Sequence, residues 1–148
     1  MTATSNHGLV ELEKQALSLQ NQGKLKEAVQ LWSAIIRQEP SWEHGYAAYG
    51  LASCREDLGQ HAAAKEAYEL ALAHNSADRV FLGGYASFLY LHGTLKEAFE
   101  AHLRLHKVEA AEGNHEAVAT TVSLLVELGQ RMGLDENAVS GRIQGEGR

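Results

Sequence analysis

The chain has 148 residues, 45% of them hydrophobic, with 13 Lys and Arg against 19 Asp and Glu, for a net charge of −6. That length is enough for one domain with a core of its own, and the negative balance repels phosphate backbones and acidic membrane surfaces. A single cysteine rules out an internal disulfide, and the first eight residues show neither the basic segment nor the apolar run of a secretion signal.

One proline and abundant Ala, Leu and Glu favour helix almost throughout. Residues 1–8 are small and polar and are expected to form a flexible N-terminus. A first helix is predicted from Leu9 to Gln22, with Leu9, Leu12, Ala16 and Leu19 on one face. Gly23 ends it where the chain must turn left-handed. A second helix over Leu25 to Gln38 buries Leu25, Ala28, Val29, Trp32 and Ile35, and Pro40 stops it. Ser41 is a candidate N-cap for a third helix from Trp42 to Leu58, whose start is about two residues longer than a regular repeat needs. Gly59 closes that helix, and a fourth runs from His61 to His74. Asn75, Ser76 and Asp78 are cap-type residues ahead of a fifth helix ending at His92. After Gly93, the stretch Thr94-Leu95-Lys96-Glu97 has capping-box spacing for a sixth helix that reaches Glu112. Gly113 and Asn114 then stop and restart the chain. Residues 115–132 form one more amphipathic helix, with Val118, Val122, Leu125 and Leu128 on one face. A short turn from Asp135 to Gly141 and a glycine-rich tail follow.

Three stretches repeat one signature. Gly59 follows Gly23 by 36 residues, and Gly93 follows Gly59 by 34. Five residues past each glycine stands an alanine (Ala28, Ala64, Ala98), and nine past it a large ring (Trp32, Tyr68, His102). Ala16, Ala52 and Ala86 in the first helices are placed to face those alanines, because two antiparallel helices approach closely only where side chains are small. This pattern resembles the tetratricopeptide repeat family over Leu9 to Ala110. It departs at His102, where an aromatic is usual, and at Ser76 and Ala110, where a closing proline is missing. The fold class implied is all-α, a solenoid of three helical hairpins (9–42, 45–78 and 79–112) plus a capping helix over 114–132. These make a single domain over 9–132, with a short helix and flexible tail over 133–148.

The family resemblance implies a noncatalytic protein that binds a peptide or helix in a concave groove lined by the first helix of each repeat. Helical spacing then selects Val10, Glu13, Leu17 and Gln20 from the first repeat. From the second it selects Tyr46, Tyr49, Ser53, Glu56 and Asp57, and from the third Val80, Gly83, Ser87, Tyr90 and Leu91. Tyrosine suits recognition because it offers area and a hydrogen-bonding tip at low entropic cost. The competing expectation is that these tyrosines simply pack between helices. The adjacent glycines Gly83-Gly84 inside a helix suggest close approach of something bulky. One subtype of the family clamps a C-terminal carboxylate with Lys, Asn and Arg. The matching positions here are Glu13, Leu17, Gly50, Val80 and Gly84, none of which donates to a carboxylate, so that subtype is excluded.

The stretch from Tyr49 to Tyr68 also resembles the middle repeat of class II chaperones of type III secretion, small acidic bacterial proteins that hold hydrophobic translocators. A further reading is self-association as a homodimer, through Leu9, Val10 and Leu12 or the last helix. His102 and His106 lie one turn apart, as paired metal ligands would be, with Glu109 near the same face. The intervening L-R-L lacks a zinc-protease glutamate, and His102 already fills the ring position, so packing is the expectation. Cys54 is expected to be a buried small residue. No nucleophile elbow or phosphate-binding loop occurs, so neither an enzyme, a metal nor a cofactor is expected. The partner is expected to be protein, with no nucleic acid or membrane, and the location cytoplasmic.

Overall fold

A computed structural model describes residues 3–145, and side chains from residue 6 onward. Among the described residues the chain forms eight α-helices and no strand, in a helical-repeat fold. They fall into two compact units that divide between Ser76 and Ala77.

The first unit holds α1 (Ala3–Asn21), α2 (Leu25–Gln38), α3 (Trp42–Asp57) and α4 (His61–His74). Helix α1 packs on α2, α2 on α3 and α3 on α4. The residues placed at the helix crossings, Ala16, Ala28, Ala52 and Ala64, are all fully buried. Trp32 is also fully buried, and its indole lies against the backbone of Gly50. A Cβ at Gly50 would stand 2.6 Å from Trp32 Cε2. Gly23 and Gly59 both adopt φ +75°. Behind them Lys24 N donates to Leu19 O at 2.9 Å and Gln60 N to Arg55 O at 2.8 Å. These are the six-to-one bonds that close a helix through a left-handed residue.

Two expectations for this unit change. Helix α1 begins at Ala3, so residues 3–8 belong to a helix rather than to a flexible N-terminus, while residues 1 and 2 lie outside the described residues. Within α3, Glu43 (φ +48°), His44 (φ +55°) and Gly45 (φ +102°) are left-handed, so the regular right-handed helix starts at Tyr46. The extra residues are thus taken up by a left-handed turn, not by a longer helix. Trp42 before the turn is buried, and its Nε1 donates to Glu13 Oε2 at 3.0 Å, which pins the detour to α1. Ser41 makes no capping bond; its hydroxyl donates to Glu39 Oε1 at 2.8 Å.

The second unit holds α5 (Arg79–His92), α6 (Leu95–Ala111), α7 (His115–Arg131) and α8 (Glu136–Ile143). Asp78, Thr94, Asn114 and Asp135 each cap a helix through the side chain, and Thr94 with Glu97 completes the capping box. Gly93 is not left-handed like the earlier turn glycines; its backbone is extended (φ −96°, ψ −170°). Glycine is favoured there by crowding, since a Cβ would lie 2.9 Å from the Leu89 carbonyl oxygen as well as 2.8 Å from Leu89 Cδ2.

The region after 133 was expected to be a short helix and a flexible tail. The short helix is α8, and it packs on α7 and α6 with Val139 fully buried. Arg142 pairs with Glu100 and lies 5.4 Å over the Phe99 ring. Gly133 (φ +81°) and the bond from Leu134 N to Gly129 O repeat the turn between α1 and α2. A Cβ on Gly129 would stand 2.3 Å from Val139 Cγ2, so here the small residue of the crossing sits on the first helix and the large one on the second. Helices α7 and α8 thus make a fourth hairpin. Residues 146–148 lie outside the described residues.

Candidate functional site

In the first unit, the positions selected on α1 and α3 form a face that is neither core nor bare surface. Glu13, Leu17, Gln20, Tyr46, Tyr49, Ser53 and Glu56 are half-buried, and Val10 and Asp57 are exposed. The second helices supply the floor. Trp32 Nε1 donates to Gln20 Oε1 at 3.3 Å, and Gln20 Nε2 reaches Ser53 Oγ at 3.4 Å. The Tyr46 ring meets Trp32 edge-on at 5.9 Å. Burial, and then the Glu13 carboxylate, raise the Tyr46 phenol above its usual range, so it stays a neutral donor.

The next repeat follows the same plan. Tyr49 contacts Tyr68 edge-on at 5.9 Å, and the Tyr68 hydroxyl donates to Glu56 Oε2 at 2.6 Å. Burial, followed by the hydrogen bond to Glu56, pushes the Tyr68 phenol far up. Each floor ring therefore buries its body and extends one polar tip to a residue of the first helices. This orders side chains that would otherwise lose rotamer entropy on meeting a ligand. Cys54 is buried, and burial followed by Asp57 holds its thiol up at about 11, well away from nucleophilic ionisation.

In the second unit Val80 (53%) and Leu91 (66%) are among the most exposed large apolar residues. Ser87 is exposed and Tyr90 half-buried. The Tyr90 ring lies 6.4 Å edge-on from His102, and its hydroxyl donates to Glu127 Oε1 at 2.7 Å. Gly83 was expected to admit something bulky, and a Cβ built on it meets nothing within 4 Å. It opens instead onto a pocket of about 390 Å³ that it lines with Ser87. Helix α6 supplies His102, Leu105 and Glu109 to that pocket, and α7 supplies Thr120, Thr121 and Leu124.

The contribution of α7 to a pocket was not anticipated, because the helix was assigned to capping or to self-association. The signal was present: Gly133 restates the turn glycine, which makes α7 the first helix of a hairpin. His102 is 3% exposed, and its Nδ1 lies 2.7 Å from the Ala98 carbonyl, which fixes that nitrogen as the donor. Its ring is thus engaged within its own helix. Among the described residues, no three His, Cys, Asp or Glu side chains come together as a metal site, and no helix is long and apolar enough to cross a membrane.

The turn glycines, buried crossing alanines and ring-filled floors of successive hairpins are those of one known repeat. The tetratricopeptide repeat pattern matches residues 12–41 and 46–75. These two stretches, both in the first unit, are thus similar to tetratricopeptide repeats. The TPR repeat-containing protein YpiA of Bacillus subtilis is 40% identical over 72 residues, 49% of this chain, and the match spans 16% of that protein's length. Two solved structures share the tetratricopeptide fold of this chain. One is PcrH of Pseudomonas aeruginosa in complex with the chaperone-binding region of PopD (TM-score 0.75, 20% identity, 86% of this chain and 95% of that one). The other is the type III secretion chaperone SycD of Yersinia enterocolitica in complex with a peptide of the translocator YopD (TM-score 0.76, 20% identity, 88% and 99%).

Proposed function

We propose that this chain is a noncatalytic adaptor or chaperone that holds a peptide or helical segment of a partner protein. The surfaces it uses are the α1–α3 face of the first unit and the α5–α7 pocket of the second. The observation that carries this reading is the state of Tyr49: half-exposed on α3, yet braced from behind by Tyr68, whose own hydroxyl is tied to Glu56. A braced, half-exposed aromatic is the usual anchor of an interface. The binding partners carried by PcrH and SycD in their solved structures lend support by analogy of fold.

The finer reading is a cytoplasmic chaperone for hydrophobic translocators of type III secretion, with acidic Glu56 and Asp57 favouring basic segments beside the apolar ones. A pull-down from native cytoplasm identifies the partner. The double variant Tyr49→Ala/Tyr90→Ala is then expected to keep its helicity and melting temperature while losing about 2 kcal/mol or more of binding, roughly thirtyfold in affinity. A large fall in melting temperature would place the rings in the core, and unchanged affinity would remove them from the binding surface. Self-association is the second reading, favoured by the exposure of Val80 and Leu91 on α5. Sedimentation of wild type against Val80→Glu/Leu91→Glu separates it from partner binding, because only an oligomer would become lighter.

A further inference from the structure

The pocket of the second unit carries a chemistry that the repeat pattern does not dictate. Glu109 lies in its wall and is 5% exposed. The Thr121 hydroxyl donates to Glu109 Oε2 at 2.7 Å, which leaves Oε1 to be accounted for. Among the described residues no fully buried side-chain oxygen or nitrogen lacks a partner, so Oε1 is not sealed in the core, and Glu109 is one of the residues that line the pocket.

The remaining lining sorts by chemistry. Leu105 and Leu124 are apolar walls, Ser87 and Thr120 bring hydroxyls, and Glu116 adds a second carboxylate. No lysine or arginine lines it. His102 turns its Nδ1 to the Ala98 carbonyl of its own helix at 2.7 Å. A volume of about 390 Å³ lies at the small end for ligand pockets and has ample room for one long side chain.

We propose that this pocket takes a single long cationic side chain, lysine or arginine, from a partner polypeptide. The methylenes lie along Leu105 and Leu124, as the stems of such side chains do on apolar surface, and the head group meets Glu109. The inference rests on the peptide-binding reading and adds what the second unit selects. Gly83 makes room for it: its equivalent in the preceding repeat is Tyr49, and a side chain of that size would fill the opening.

The test uses the full chain labelled with nitrogen-15 and two probes, acetyl-Leu-Arg-Leu amide and its citrulline counterpart, which keeps the shape and removes the charge. The arginine probe is expected to bind about tenfold more tightly, the scale of a charge-assisted hydrogen bond, with shifts at the Gly83, Ser87 and Thr121 amides. Glu109→Gln should abolish that preference. Gly83→Leu should abolish it too, and since a Cβ there meets nothing within 4 Å and the pocket has room for the rest, the variant is expected to keep its fold even if Glu109→Gln does not. Equal affinity for the two probes, shifts confined to other surfaces, or a preference that survives Gly83→Leu overturns the cation pocket. Equal binding on the α1–α3 face would do so while leaving the peptide-binding reading intact. Failure of both probes to bind overturns the pocket as well, and the partner pull-down then decides the broader reading by itself.

Discussion

Trp32 and His102 occupy the same place in their repeats, nine residues past a turn glycine, and they leave opposite surfaces behind. In the first unit the indole fills its site to contact with Gly50, passes a hydrogen bond to Gln20 and carries Tyr46 on its face. In the second unit a smaller ring turns back to its own helix, and Gly83 stands over open space. The backbone plan is common to both, so ring size and the residue opposite decide whether a face is sealed or hollow. A sealed face presents anchored side chains, and a hollow one accepts them.

The largest expected effect lies at the sealed floor. Trp32→Ala should cost about 3–5 kcal/mol of stability, since it empties a fully buried site and strips Gln20 of its donor. His102→Ala should cost about 1 kcal/mol, the centre of the range for point substitutions, because the pocket beside it is already open. Chemical denaturation of both variants checks the ranking, and equal losses would erase the contrast between the units.

Glycine substitutions should differ in sign. Gly50→Ala drives a methyl into the Trp32 ring and should destabilise by about 1–3 kcal/mol through overpacking. Gly83→Ala meets nothing within 4 Å and should stabilise by about 0.5–1 kcal/mol through helix propensity. Thermal melts of the pair are enough, and a destabilised Gly83→Ala would mean the pocket is not open.

A pH dependence belongs to the first unit. The Tyr68 phenol is raised in the folded chain by burial and then by its bond to Glu56. Its contribution is therefore complete below the unfolded phenol value of about 10 and is lost as pH rises beyond it. Stability should fall between about pH 9.5 and 11.5 in wild type and fall less in Tyr68→Phe, as read by denaturant midpoints across that interval. Parallel curves would remove Tyr68 as the source.

The smallest expected effect concerns the detour before α3. His44 holds φ +55° without being glycine, a conformation that costs about 1 kcal/mol or slightly more. His44→Gly relieves that strain but loosens the unfolded chain, so a net gain of no more than about 1 kcal/mol is expected. A clear loss would show that the imidazole itself holds the turn.

Much of this architecture is written in short-range chemistry. Gly23 and Gly59 mark left-handed turns, Thr94 and Glu97 close a capping box, and the alanines that allow the helices to cross recur at fixed distances. Each of these follows from backbone sterics or local hydrogen bonding within a few residues, so it can be read before any fold is known. Gly93 escaped that logic, because its glycine answers to the crowding of Leu89, carbonyl included, rather than to its own φ. The left-handed turn at Glu43 to Gly45 depends on Trp42 reaching Glu13 across 29 positions. The pocket depends on Thr121 holding Glu109 from another helix, and on the absence of any side chain in the space above Gly83. A void has no residue of its own to announce it. It exists only once the helices around it are packed and the volumes of all their side chains have been compared.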